Sequence, residues 1–134
     1  MTPQIPSGHK GWSAEEAQAR TDLAACYRLA AHFHLDDIVY THISLRIPGT
    51  HDFLRNPFGI MFGEISASML IRIDAQGGVV GQQGRVNEAG FVIHSALHMA
   101  REDANCVMHT QPQAGQAFSA LECGRLPISQ QSML

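Results

Sequence analysis

At 134 residues, 45% hydrophobic and 16% charged, the chain suits one globular domain that buries about two-thirds of its unfolded surface, which excludes an intrinsically disordered polymer. Nine Lys and Arg against twelve Asp and Glu give a net charge of −3; the basic residues are scattered, so no nucleic-acid partner is expected. The apolar runs fall well short of the ~18 residues of a membrane span, and no membrane partner is expected either.

Residues 1–11 read as a flexible arm, polar and rich in Pro and Gly, without the apolar stretch of a signal peptide. Residues 12–134 read as a single domain of a cytoplasmic protein. The cysteines Cys26, Cys106 and Cys123 are odd in number and lack a C-x-x-C spacing, which fits reduced thiols. Cys26 and Cys106 have apolar neighbours and are expected in the core.

Ser13 and Glu16 form a capping box, so a helix is predicted from Ala14. Leu23, Cys26, Tyr27, Ala30 and Phe33 recur at helical spacing as one apolar stripe and carry it to about His34. His32 and His34 suit the negative end of its dipole. Asp36-Asp37 turns the chain into a strand over residues 38–47, rich in β-branched side chains and closed by Pro48-Gly49. Short strands are predicted at 53–56 and 60–62, around Pro57-Phe58-Gly59. Another, at 70–74, turns through Gly77-Gly78 into Val79-Val80 as a hairpin. Asn87 is the predicted N-cap of a helix over 88–101. A buried strand at 106–110 follows, then a helix over 112–121 with Pro112 in its first turn, then a strand starting at 126–129. Helices alternating with strand groups imply a sheet covered by helices, a layered α/β domain.

The sharpest chemical signal is Asn105-Cys106-Val107-Met108-His109-Thr110-Gln111-Pro112. Strand side chains alternate, so His109 and Gln111 share one face and Cys106 and Met108 the other. Two side chains so placed could clamp one metal ion. Imidazole is a good ligand for it and a neutral amide a poor one. His94 and His98 stand at i and i+4, on one helical face, but Ser95 occupies the place of the zincin glutamate. Packing and hydrogen bonding between helix and sheet is their expected role. Gly59, Gly63, Gly77 and Gly78 make no nucleotide-binding pattern, and Ser66 and Ser68 lack a nucleophile elbow.

Taken in order, the capped helix is followed by Thr41-His42-Ile43-Ser44-Leu45-Arg46, Asn56-Pro57-Phe58-Gly59, Glu64-Ile65-Ser66-Ala67-Ser68 and Asp74. Asn87-Glu88-Ala89-Gly90-Phe91, His94-Ser95-Ala96-Leu97-His98-Met99-Ala100-Arg101 and Val107-Met108-His109-Thr110 complete the series. From about Trp12 to Leu121 the chain resembles the class II aldolase/adducin family, its adducin-head-like branch more than its sugar-phosphate aldolases. The resemblance implies a three-layer α/β/α fold with a mostly antiparallel central sheet, assembled as a homo-oligomer. In the aldolase members it also implies zinc and cleavage of a carbon–carbon bond through an enediolate.

The resemblance places His109 at the first histidine of an H-x-H zinc pair and Gln111 at the second. Glu88 falls near the family's base, although its spacing to His94 departs from the aldolase pattern. His42 and Ser44 lie in one substrate-phosphate loop of the aldolases, Asn56 and Gly59 in another. The family's third zinc histidine and a late aromatic acid would fall beyond Leu134, so the chain is expected to lack the C-terminal part of that fold. The resulting expectation is an aldolase-type lyase on small hydroxy-carbonyl, sugar-phosphate-like substrates. Glu88 is its base, and zinc or another divalent metal is held by a degenerate His109/Gln111 site. The alternative is a non-catalytic adducin-head-like module for oligomerisation or partner binding. An uncovered sheet edge would add a reason to self-associate.

Overall fold

Helix α1 (Ala14–His32) begins where Ser13 Oγ accepts the Glu16 amide at 3.1 Å, satisfying a donor that the first turn leaves unpaired. It ends at Phe33, and His34 then takes a φ of 54° that no helix continues. The computed structural model describes residues 11–81, 84–85, 87–124 and 126, with the side chains at 88 and 89 outside that description. Leu23, Tyr27 and Ala30 of the expected stripe are buried, joined by Ala19 and Ala24, while Phe33 is exposed and Cys26 half-buried. The buried side also carries charge. Glu16 and Arg20 pair at 2.7 Å, Arg20 donates to the Leu70 carbonyl at 2.5 Å, and Arg72 reaches the second Glu16 oxygen at 2.9 Å. The Arg20 guanidinium lies over the Trp12 ring.

Among the described residues, five strands form one antiparallel sheet: β1 (His42–Arg46), β2 (Phe53–Arg55), β3 (Ile71–Ile73), β4 (Val79–Val80) and β5 (Cys106–His109). Their order is β4-β3-β2-β1-β5. The first four form a meander. The chain then passes through α2 (Glu88–Ala100) and returns as β5 on the free side of β1, before α3 (Gln113–Ser119). Alternation along β1 sorts its side chains. Ile43 and Leu45, with Leu54 of β2, pack into the core under α1. His42 and Ser44 point the other way and meet α2, as does Phe53, which stacks on Phe91 and packs with Ile71 and Ile73.

One hydroxyl replaces a rung of the ladder. The β1–β2 register ends at Ser44 opposite Arg55, and the next pair would be Ile43 and Asn56. Tyr27 Oη sits there instead. It accepts the amides of Ile43 (3.0 Å) and Asn56 (3.1 Å), and its own proton faces the Ile43 carbonyl and Asn56 Oδ1. Burial pushes this phenol well above its ordinary range, so it stays protonated.

Several expectations are corrected. The strand expected over 38–47 begins only at His42, because residues 38–40 turn and Ile38 takes a φ of 47°. Residues 60–62 form no strand. Single 3-10 turns at Phe62–Glu64 and Ala67–Met69 seal the α1 core with Phe62, Ile65 and Leu70. The strand expected to be buried at 106–110 is an edge strand with Cys106 and Met108 exposed, since no described element covers their side of it. Cys106 is therefore no core residue. Residues 1–10 of the expected arm lie outside the described residues, as does the strand expected at 126–129 apart from Leu126. No described helix is long and apolar enough to cross a membrane.

Two stability predictions follow from the buried polar contacts. Tyr27→Phe leaves the Ile43 and Asn56 amides without an acceptor, and each orphaned donor should cost about 1–3 kcal/mol in urea unfolding. Glu16→Ala strands the buried Arg20 guanidinium and should cost about 3–5 kcal/mol by the same measurement.

Candidate functional site

The start of β1 and the end of β5 are brought together by register, because His42 pairs directly with His109. Residues opposite each other in an antiparallel pair share a face, so the two rings meet. His109 Nδ1 lies 3.1 Å from His42 Nε2. Gln111 follows two residues on, with its amide nitrogen 3.2 Å from His109 Nε2. Its backbone N–H donates to the Leu35 carbonyl at 3.1 Å, which fixes the chain as it leaves the sheet.

Behind this pair, α2 presents His94 and His98 to β1. His94 Nε2 meets His42 Nδ1 at 2.8 Å, and His94 Nδ1 meets Ser44 Oγ at 2.7 Å. Ser44 Oγ also meets His98 Nε2 at 2.8 Å, and His98 Nδ1 donates to the Ala104 carbonyl at 2.9 Å. A line of six hydrogen bonds therefore joins the Ala104 carbonyl to the Gln111 amide through four imidazoles and one hydroxyl.

Arg55 flanks the line. Its side chain is buried, Nη1 donates to the Asn87 carbonyl at 3.0 Å, and Nε has no partner among the described atoms. Gly90 of α2 makes this approach possible. A Cβ there would fall 2.8 Å from His42 Nε2 and closer still to Arg55 Nη2. Asn87 opens α2, with Oδ1 facing the Gly90 amide at 3.4 Å, in keeping with its expected capping role.

The structure joins His42, Ser44, His109 and Gln111 in one connected group. Ser44, expected to touch substrate, is 0% exposed, and both hydrogen-bonding roles of its hydroxyl are taken by His94 and His98. Asn56 is buried against Tyr27. Gly59 lies on an exposed turn at a φ of 87°, held through the Phe58 amide to the Arg85 carbonyl at 2.8 Å. Glu88 is the first residue of α2, next to the Asn87 carbonyl that binds Arg55; its side chain lies outside the described atoms. Among the described residues, no three His, Cys, Asp or Glu side chains are grouped to hold a metal. His109 and Gln111 offer two donors side by side.

Arg55, Gly90 and His94 belong to this neighbourhood and were not expected as site residues. His94 and His98 do perform the helix-to-sheet hydrogen bonding expected of them. Polar residues at i and i+2 on a strand, facing histidines at i and i+4 on a helix, are the pattern that reveals their place in the site. Arg55 has no such local signal.

Burial holds the His42, His94 and His98 imidazoles neutral. His42 is pushed down to about 4, first by burial and then by the charges of Arg55 and His109. His94 is pushed to about 3, again first by burial, with His42 and Arg55 adding to it. Burial also lowers His98, helped by Arg46 and opposed by its bond to Ala104.

The sequence profile described as Class II Aldolase and Adducin N-terminal domain matches residues 21–134. A Pseudomonas aeruginosa protein provisionally named as a class 2 aldolase is 53% identical over 122 residues, covering 90% of this chain and 47% of that protein. Rat alpha-adducin is 42% identical over 122 residues, covering 88% of this chain and 17% of the adducin. The crystal structure of an aldolase II superfamily protein from Pseudomonas syringae matches with a TM-score of 0.87 at 47% identity, covering 91% of this chain and 50% of that one. The L-fuculose 1-phosphate aldolase of Glaciozyma antarctica matches with a TM-score of 0.82 at 38% identity, covering 89% and 50%. The chain spans about half the length of the bacterial relatives it matches.

The neutral histidines set a pH dependence. An imidazole kept neutral by the fold gains a proton on unfolding anywhere between its ordinary value near 6.5 and its folded value, so acid favours the unfolded chain in that window. Unfolding free energy should fall as pH drops from about 6.5 towards 4. Urea titrations at stepped pH will check this; a profile flat from pH 7 to 5 contradicts it.

Proposed function

Because the chain belongs to the class II aldolase and adducin N-terminal domain family, we propose that it is a divalent-metal-dependent carbon–carbon lyase of the aldolase type with a weakened ion site. Its substrates are small hydroxy-carbonyl compounds of the sugar-phosphate kind. The similarity to a solved L-fuculose 1-phosphate aldolase supports that substrate class. The observation that carries the reading is the meeting of His109 and Gln111 where β5 ends, beside His42 at the start of β1.

The donor set fits a weakly held ion. His109 Nε2 is a borderline-soft donor, and Gln111 adds a neutral oxygen once its amide turns over. A catalytic zinc usually keeps three protein ligands, and Glu88 is our proposed third, at the start of α2. A divalent ion so held would polarise the carbonyl and hydroxyl oxygens of the substrate.

Glu88 is also the base. It takes the proton whose loss starts the carbon–carbon exchange. His42 flanks the reacting oxygens, and the turn at Gly59 holds the phosphate end, positioned by the buried Asn56 that precedes it. Ser44 acts through His94. The proposal includes the α/β/α layering, with α1 and α2 on opposite sheet faces, a single domain over residues 12–134, a cytoplasmic location and a homo-oligomeric assembly.

The alpha-adducin match favours a second reading, in which the same domain is a non-catalytic module for self-association or partner binding. Purified chain loaded with zinc and offered sugar-phosphate ketoses in a retro-aldol assay separates the two. The lyase reading expects bound zinc, turnover that chelator removes, and a loss of about 10²–10⁴-fold in Glu88→Gln. Protein that binds no zinc and turns nothing over, with an oligomeric mass unchanged in Glu88→Ala and His109→Ala, would establish the module.

A further inference from the structure

A histidine that holds a metal or takes a proton through one nitrogen needs its other nitrogen protonated and occupied. His109 faces Gln111 with Nε2 and His42 with Nδ1. Which nitrogen carries the proton is not local to His109. It is decided at the far end of the hydrogen-bonded line, where a backbone carbonyl leaves no choice.

The Ala104 carbonyl can only accept, so His98 Nδ1 carries a proton and, the ring being neutral, Nε2 does not. Ser44 must then donate its single proton to His98 Nε2 and accept from His94 Nδ1. His94 Nε2 is thereby bare and accepts from His42 Nδ1. His42 Nε2 is bare in turn and accepts from His109 Nδ1. Every bond in the line points the same way, and only one assignment satisfies all of them. It ends with a lone pair on His109 Nε2, which receives the Gln111 amide proton.

We propose that this line is a tautomer-setting device. It holds His109 in the Nδ1–H form and presents the Nε2 lone pair at the mouth of the site, ready for a divalent cation or a proton. Ser44, His94 and His98 are positioning residues that act through His42. Ser44 is the hinge of the logic, because its hydroxyl carries the direction from His98 to His94. The middle of the line is internal: Ser44 and His94 are 0% exposed and their bonds are buried, whereas the His109 end is half-buried. The inference deepens the proposed ion site, yet the state it assigns exists in the metal-free chain and is read there.

The test is two-bond proton–nitrogen correlation spectroscopy on the metal-free chain with nitrogen-labelled histidine at pH 7.5. His42, His94, His98 and His109 should each show a protonated Nδ1 and a bare Nε2. Ser44→Ala should turn His109 into a mixture of the two forms, and Ser44→Thr should restore the single form. A second readout is zinc affinity, which should fall by about 10–100-fold in Ser44→Ala, the usual effect of losing an outer partner of a ligand. His109 protonated on Nε2 in the unaltered chain overturns the proposal even if Ser44→Ala does not fold. So does a single Nδ1–H form persisting in folded Ser44→Ala. If the unaltered chain binds no zinc, the ion site of the preceding subsection fails, and the tautomer spectra alone still decide this one.

Discussion

A phenol oxygen stands where a backbone rung would otherwise continue the sheet, and the site is built around that substitution. Tyr27 reaches from α1 between Ile43 and Asn56 and satisfies both amides with one atom. A continued ladder would bring these strands to the usual spacing of about 4.8 Å. Held on the phenol instead, β1 and β2 part at the end of the sheet where His42 begins and Arg55 turns towards α2. The hydrophobic core under α1 therefore sets the geometry of the polar face opposite, because the residue that bridges the strands is itself a core residue.

That polar face obeys a different rule from the apolar one. Under α1, Leu23, Ile43, Leu54 and Phe62 need only fill space, while Glu16, Arg20 and Tyr27 find their own partners. Under α2, strand β1 buries His42 and Ser44, and each must find a partner of the right kind. Neutral rings answer that need with one donor and one acceptor apiece. A buried polar layer with so few surplus protons has few equivalent arrangements, and this makes the α2 packing specific as well as stable. Arg46 closes the layer, bonding the His98 carbonyl near the end of the helix.

Features that rest on neighbours in the chain were legible from the sequence. The capping box located the start of α1, the Gly77-Gly78 turn located the β3–β4 hairpin, and Asn87 located the start of α2. The spacing of His109 and Gln111 correctly put their side chains on one face of the chain. Features that rest on partners far along the chain were not legible. Ile38 looks like the start of a strand but turns, since the β-branched run continues past what β5 and β2 can pair. Cys106 looks like a core residue because its neighbours in sequence are apolar, yet its position at the sheet edge leaves it exposed. Ser44 was expected to meet substrate because the family resemblance puts it in a substrate-phosphate loop. Only the placement of α2 over it gives its hydroxyl to two imidazoles.

Gly90 carries a consequence for how this chain can vary. Its backbone is ordinary helix, so space and not conformation demands glycine there. The room that a side chain would use is already filled by the tip of Arg55, with His42 at its rim. Positions 55 and 90 thus share a single allotment of volume. Descendants of this sequence can enlarge one only by shrinking the other, and a swap that traded the guanidinium for an acidic group on the helix would reverse the sign of charge beside His42, whose ring would have to give way to the new side chain.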